Sequence, residues 1–367
     1  MSKQFYDYLI VGAGLYGSVM AHELHKAGKS VLVVEQRNHI GGNCYTEKVG
    51  EITTHKYGAH IFHTDNEEVW NYINQFATFN SFINTPKASY KGNLYSLPFN
   101  MYTFREVWGV TTPEEAREKI KSQIVPCDNP SNVEEQALAT VGKDIYEMFI
   151  KDYTEKQWGT SCTSVPAETL KRIPVRYQYS NNYFNSKYQG IPIGGYTQII
   201  EKLLDGIDVY TNCNFLNPIF RPYLESLAET IIFTGTIDAY YDYFFGKLGY
   251  RSISSETEIL PVESFQDNAV VNYTSKDVPY TRVIEHKFFE GTKCPYTVIS
   301  KEYSNSNGYP CYPIKNEANI ERYKRYKELS QGSNVIFGGR LGEYMYYDMD
   351  QTIYAALKKS GELLGNK

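Results

Sequence analysis

Residues Gly12-Ala13-Gly14-Leu15-Tyr16-Gly17 form a G-x-G-x-x-G between a run of strand formers, Tyr6–Val11, and a stretch of helical periodicity, Leu15–Lys26. No other feature restricts the fold as tightly, because each glycine answers a different steric demand. The first permits a tight turn, the second lets backbone approach a pyrophosphate, and the third lets helix and strand pack closely. The helix N-terminus then offers its positive end to phosphates. A second apolar run, Ser30–Val34, completes a βαβ unit. Glu35 follows it, where a carboxylate can accept hydrogen bonds from ribose hydroxyls. An ordinary glycine turn beside a surface Glu is the plain alternative.

Two later segments read as returns to the same parallel sheet. Gly194–Leu204 is a turn and helix leading to Ile207–Tyr210 and Thr230–Thr234, and Val335–Gly339 precedes a helix from Asp350 to Leu364. Helical pattern lies between, with a capping box at Thr64–Glu67, a proline-started helix at Thr112-Pro113 with Glu115, and then Asn132–Val141 and Asp144–Tyr153. From about Tyr240 to Tyr312 the runs Ala269–Tyr273, Thr281–Glu285 and Tyr296–Ser300 read as antiparallel sheet. The expected architecture is α/β. A discontinuous Rossmann-like nucleotide-binding domain (1–80, 187–240, 315–367) is interrupted by a helical insertion domain (81–186) and an antiparallel sheet domain (241–314).

Composition narrows the function. A chain of 367 residues with formal charge −5 lacks the basic surface that nucleic-acid binding needs. Aromatics reach 15%, with 34 Tyr, which suits clefts for polyhydroxy or ring-bearing ligands. No run approaches the roughly 20 apolar residues of a membrane span, and no signal-peptide core precedes the first strand. Six scattered cysteines without a C-x-x-C pair point to a reducing compartment, so a cytoplasmic protein is expected.

Arg37 and the pair Gly41-Gly42 resemble the second fingerprint of FAD enzymes, which favours FAD over NAD as the held dinucleotide. His60 and His63 precede a helix start; contact with the flavin face, a structural pair and a metal site are all compatible with them, though no third metal ligand has suitable spacing. Arg340 leaves a strand where a guanidinium can neutralise phosphate, and a helix start near Asp348 could stabilise an anionic reduced flavin. Phe149 and Tyr153 are an i, i+4 pair able to sandwich a flat base, although core packing explains such pairs more often. Arg172 and Arg176 flank Pro174 in a basic loop that could close on a diphosphate. Arg282 sits mid-strand, where burial demands a partner or an anionic ligand.

Together these residues resemble the UDP-galactopyranose mutases of the bacterial type. The shared motifs are Arg37–Asn43, Tyr57–Thr64, Leu97–Asn100, Tyr153–Trp158, Lys171–Arg176, Asn182–Asn185, Thr281–His286, Phe337–Arg340 and Tyr346–Asp348, so the likeness covers nearly the whole chain. It implies a flavoenzyme that interconverts UDP-galactopyranose and UDP-galactofuranose, active only with reduced FAD, whose N5 attacks the anomeric carbon as UDP leaves and a flavin–sugar iminium forms. By resemblance, Arg172 and Arg282 grip the diphosphate, and they join His60 and His63 as catalytic residues. Asn84, Phe149, Tyr153, Thr154, Trp158, Tyr183, Asn268, Tyr312 and Tyr346 are implied in substrate binding. Gly12, Gly14, Leu15, Gly17, Glu35, Gln36, Gly42, Asn43, His60, Ile61, Arg340, Tyr347, Asp348 and Met349 are implied on the cofactor side. A homodimer, a reductant such as NADH or NADPH, and a product used in cell-surface polysaccharide are implied too. Ala59 and Cys311 depart from the residues frequent in the family. A mutase for UDP-N-acetylgalactosamine, an amine-oxidase-like flavoenzyme and a non-catalytic binder of related fold are the competing readings.

Overall fold

In the computed structural model, which describes residues 5–170, 175–306 and 308–365, five short strands assemble as their hydrophobicity dictates. The sheet order is Val335–Phe337, Ala228–Phe233, Tyr6–Val11, Val31–Val34, Asp208–Tyr210, with every pair parallel. Val31–Val34 is buried along its whole length, as a parallel strand covered on both faces must be. Alternation then sorts the side chains. Ile10, Val33 and Ile232 meet the helices Leu15–Lys26, Thr197–Leu203 and Met349–Leu363 on one face. Leu9, Leu32, Val34 and Phe233 meet Phe215, Leu224 and Tyr240 on the other. The sheet thus draws on three separated stretches of chain.

A seven-stranded sheet stands beside it, ordered Tyr312–Pro313, Tyr250–Leu260, Thr297–Asn305, Arg282–Glu285, Val270–Tyr273, Lys87–Tyr90, Asn93–Ser96. All neighbours are antiparallel except Val270–Tyr273 with Lys87–Tyr90. The last two strands fall within 81–186, the segment expected to form a helical domain. Lys91 (φ 49°) and Gly92 (φ 81°) form the tight turn of a hairpin, and this pair replaces the more familiar Asn-Gly signal.

Helices from Met101–Trp108 to Lys151–Trp158 follow within that segment, around a core that includes Phe104, Val133, Ile145 and Phe149. Thr112, Pro113 and Glu115 cap their helix reciprocally, as read from sequence. The box expected at Thr64 shifts. Asn66 Oδ1 accepts from the backbone N–H groups of Glu68 and Val69, while the Thr64 hydroxyl donates to Asp350 2.9 Å away. Asn66 lies nearer the first buried helical residue, Val69, and takes the cap for that reason. A π-helical turn, Tyr146–Ile150, separates Gly142–Ile145 from Lys151–Trp158.

Candidate active site

A cleft of about 440 Å³ opens at the C-terminal ends of the parallel strands, where doubly wound sheets bind ligands. Its floor is backbone. Gly12 adopts φ +108°, and a Cβ there would stand 2.1 Å from Thr234 Oγ1; a Cβ on Gly17 would stand 2.0 Å from the Gly12 carbonyl. Both glycines are therefore dictated by packing. Gly14 differs, since a Cβ on it would meet nothing closer than Gly42 Cα at 3.7 Å. Its bareness serves the cleft. The Gly41 N–H donates to the Ala13 carbonyl (2.8 Å), which docks the second glycine pair against the first loop. Glu35, buried at 5% exposure, accepts from Ala13 N–H and Arg37 N–H at 2.9 and 2.8 Å and still lines the cleft. Arg37 Nη2 donates to Asn43 Oδ1 (2.9 Å), whereas its Nη1 is buried without a partner among the described residues. A buried guanidinium nitrogen left unpaired beside a glycine cradle suits an anionic or heteroatom-rich ligand such as a dinucleotide.

At the other end, side chains replace backbone. Arg340 donates to the carbonyls of Tyr347 and Cys311 and lies 5.2 and 5.4 Å from the rings of Tyr312 and Tyr346, which stack on each other. The helix Met349–Leu363 begins there, with Met349 and Thr352 lining the cleft. Arg282 occupies the middle of a cross-strand row, registered with Asn272 on one side and Glu302 on the other. Its Nε donates to Asn272 Oδ1 (3.1 Å) and its Nη1 lies 3.5 Å from Glu302 Oε2. The Arg282 side chain keeps 30% exposure and Glu302 only 3%, so the carboxylate anchors a guanidinium that still faces open space. Burial opposes the Arg282 charge, but Tyr153, Glu302 and Tyr312 around it more than offset this and raise its pKa.

Burial holds the phenols of Tyr312 and Tyr183 above the ordinary tyrosine range, so both stay protonated donors at neutral pH. Tyr183 is within electrostatic reach of Arg282, Tyr153, Tyr346 and Asp348. His60 Nδ1 lies 2.8 Å from the Gly58 carbonyl, which only accepts, so that nitrogen carries the proton and Nε2 is the free acceptor. Desolvation pushes His60 down to about 4, with Arg340 and Arg282 acting in the same direction against its bond to Gly58. Behind it, the His60 N–H donates to His55 Nδ1 and the His55 N–H to His286 Nδ1.

Most residues singled out in the sequence converge here. Gly12, Gly14, Leu15, Gly17, Glu35, Gln36, Gly42, Asn43, His60, Arg340 and Met349 line the cleft. Tyr153, Tyr183, Arg282, Tyr312, Tyr346 and Asp348 do not line it but gather next to it, Tyr312 and Tyr346 lying beside Arg340, which does. Asn84 and Asn268 line a smaller neighbouring cavity of about 160 Å³, tied to Tyr183 through its N–H on the Asn84 carbonyl. Others fall elsewhere. Phe149 is 4% exposed and packs against Tyr95 and Phe99 within the π turn Tyr146–Ile150, and Tyr153 follows on the helix Lys151–Trp158. Ile61 buries its side chain with Ile191 and Ile284 and does not line the cleft. His63 stacks on Phe184 at 3.7 Å and pairs with Ser186, apart from the His60 contacts. Thr154 is buried and Trp158 packs on the helical core. Arg176 turns inward to the carbonyls of Asn182 and Tyr183. Arg172, with Pro174, lies outside the described residues.

Sequence reasoning missed Glu302, whose role exists only once strand register pairs it with Arg282. It also missed Asn214 and Thr234–Thr236, which follow the strands Asp208–Tyr210 and Ala228–Phe233 into the cleft. The rule that ligands sit beyond parallel strand ends could have found those.

Comparison with known proteins agrees with this geometry. A family model for UDP-galactopyranose mutase matches residues 148–346, and one for an NAD(P)-binding Rossmann-like domain matches residues 10–76. The chain is 42% identical over 377 residues to a Klebsiella pneumoniae protein described as a probable UDP-galactopyranose mutase, covering 98% of this chain and 95% of that one. It is 39% identical to a dTDP-fucopyranose mutase of Escherichia coli, covering 95% and 96%. A crystal structure of a reduced UDP-galactopyranose mutase superposes with a TM-score of 0.78 at 13% identity, covering 99% of this chain and 96% of that chain.

Proposed function

Because the chain belongs to the UDP-galactopyranose mutase family, we propose that it interconverts UDP-galactopyranose and UDP-galactofuranose with a bound FAD that must be reduced. The observation that carries this reading is the row Asn272, Arg282, Glu302, which aims one anchored guanidinium into an aromatic pocket at the end of a dinucleotide cleft. The cleft fits FAD: Gly14 is bare towards it, Arg37 Nη1 lacks a partner among the described residues, and Glu35 lies at the ribose position. Gly12–Gly17 would hold the pyrophosphate, Glu35 the ribose, and Arg340 with the helix start at Met349 the flavin end. The chemistry a reduced FAD supplies when bound is nucleophilic, an electron-rich ring nitrogen able to displace UDP from the anomeric carbon.

The chain's own groups supply position and charge. Arg282 binds the diphosphate and interacts most strongly as UDP departs with its negative charge. Glu302 keeps that guanidinium aimed. Arg172 serves as the second grip. Tyr153, Asn268 and Asn84 face the uridine, and the hydroxyls of Tyr183 and Tyr312 donate to sugar or phosphate oxygens. Neutral His60 presents Nε2 as an acceptor beside Arg340. The isomerisation is redox-neutral overall, so a reductant such as NADH or NADPH serves only to prime the flavin. The enzyme works in the cytoplasm as a homodimer and feeds cell-surface polysaccharide synthesis. The unpaired cysteines suit that compartment, and among the described residues no helix is long and apolar enough to cross a membrane.

Substrate choice has a second candidate, because the dTDP-fucopyranose mutase is nearly as similar as the galactose enzyme. Dithionite-reduced protein incubated separately with UDP-galactopyranose, UDP-N-acetylgalactosamine and dTDP-fucopyranose decides it, with furanose products resolved by chromatography. Fastest conversion of UDP-galactopyranose is the expected result. Conversion of none while the flavin stays reduced would end the mutase reading.

A further inference from the structure

The helix Lys151–Trp158 carries a half-buried ammonium with an unusual set of partners. Lys156 Nζ donates to the carbonyls of Tyr273 (2.7 Å), Ser275 (2.8 Å), Val278 (3.3 Å) and Tyr280 (2.9 Å). Tyr273 ends the strand Val270–Tyr273, and the other three belong to the short connection that leaves it and returns at Arg282–Glu285. An ammonium has only three protons, so four convergent carbonyls make this a cation site with the cation tethered in place. Two of the carbonyls lie on the outgoing limb and two on the returning limb, so the single charge draws the limbs together. Tyr273 N–H to the Thr281 carbonyl (2.9 Å) closes the connection at its base, immediately before Arg282.

Other contacts fasten the same connection to the same helix. Lys276 Nζ bridges Asp152 (3.2 Å) and Glu155 (2.8 Å), and its N–H donates to Asp152. These groups are exposed or half-exposed and contribute little individually. Lys156 is the interior member, and burial pushes its ammonium down to about 8 despite Asp152 and Asp277 nearby. Tyr153, three residues earlier on the helix, meets the Arg282 guanidinium directly. The helix therefore reaches Arg282 twice, once through a phenol and once through the connection that Lys156 grips.

We propose that Lys156 is a positioning residue for Arg282, locking the 274–281 connection so that the nucleotide-facing helix and the diphosphate-facing strand act as one unit. This rests on the reading of Arg282 as the diphosphate ligand. A residue that acts through Arg282 loses its effect once Arg282 is gone, whereas a clamp that only stabilises the fold does not depend on Arg282.

The test is a double-mutant cycle on UDP affinity, measured by calorimetry with thermal unfolding recorded for each protein. Lys156→Met is expected to weaken UDP binding by about tenfold to a hundredfold in the parent chain, and to cost less than about twofold in an Arg282→Ala background. Lys156→Gln, which keeps two N–H donors, replaces Lys156→Met should that variant not fold, and is expected to fall between it and the parent. Equal losses in both backgrounds, or a lowered melting temperature with unchanged UDP affinity, would overturn the proposal. A parent protein that binds no UDP removes the functional reading and this proposal together. A parent that binds UDP while the Lys156 variants match it removes this proposal alone.

Discussion

The two ends of the cleft are built on different plans. At the end under the parallel sheet, the surface that faces a ligand is main chain. Gly12, Gly14 and Gly17 come from one turn, and Gly41-Gly42 docks on it. At the far end the surface is side chain, and its members come from the helical layer, two strands of the antiparallel sheet and the segment before the last helix. A main-chain surface tolerates almost no change in residue type but needs only a short motif to specify it. A side-chain surface can be altered one group at a time, and it exists only after distant segments meet.

Substitutions can break or sharpen that contrast. The largest effect is expected for Arg282→Ala, with turnover of the reduced enzyme falling about 10²- to 10³-fold and the bound flavin retained. Steady-state kinetics with an absorbance spectrum of the flavin checks both halves, and joint loss of flavin and activity would blur the two plans into one. Next comes Gly17→Ala, expected to cost about 3 kcal/mol in urea unfolding and to abolish cofactor retention, because its Cβ would stand 2.0 Å from the Gly12 carbonyl. Gly14→Ala is the contrasting case. It should leave the apoprotein's urea midpoint nearly unchanged while weakening FAD affinity about tenfold, since only the open cleft lies before its Cβ.

Acid should act on the side-chain end. His286 is buried and pushed down to about 3 by desolvation, and buried His55 is lowered for the same reason, from an ordinary value of 6.5. Between about pH 6.5 and pH 3 the unfolded chain therefore binds more protons than the native one, so stability is lost as pH falls through that window. The slope approaches about 1.4 kcal/mol per pH unit for each such histidine. Urea midpoints from neutral to mildly acid pH should show the decline, and His286→Gln should flatten it. The smallest effect belongs to Cys311→Ala. Arg340 uses the backbone carbonyl of Cys311, so activity is expected within about twofold of the parent.

The same contrast explains what could be read before any coordinates. Tyr6–Val11 and Leu15–Lys26 emerge as expected because periodicity and glycine spacing are local properties. Glu35 at the end of the second strand is legible for the same reason. The hairpin at 87–96 was hidden in a stretch of helical character, since its strands are short and its turn is Lys-Gly. Glu302 was invisible because only register places it opposite Arg282. The π turn that holds Phe149 ahead of Tyr153 was equally hidden, because an i, i+4 pattern does not reveal helix pitch. Where a role depends on register or on helix pitch, one-dimensional spacing carries no trace of it.

The cleft has both Gly12 and Thr352 on its walls, and the strand Val335–Phe337 is the edge of its sheet. A folding chain therefore cannot close the walls of the cleft until the segments carrying Val335–Phe337 and Thr352 have joined the strand Tyr6–Val11.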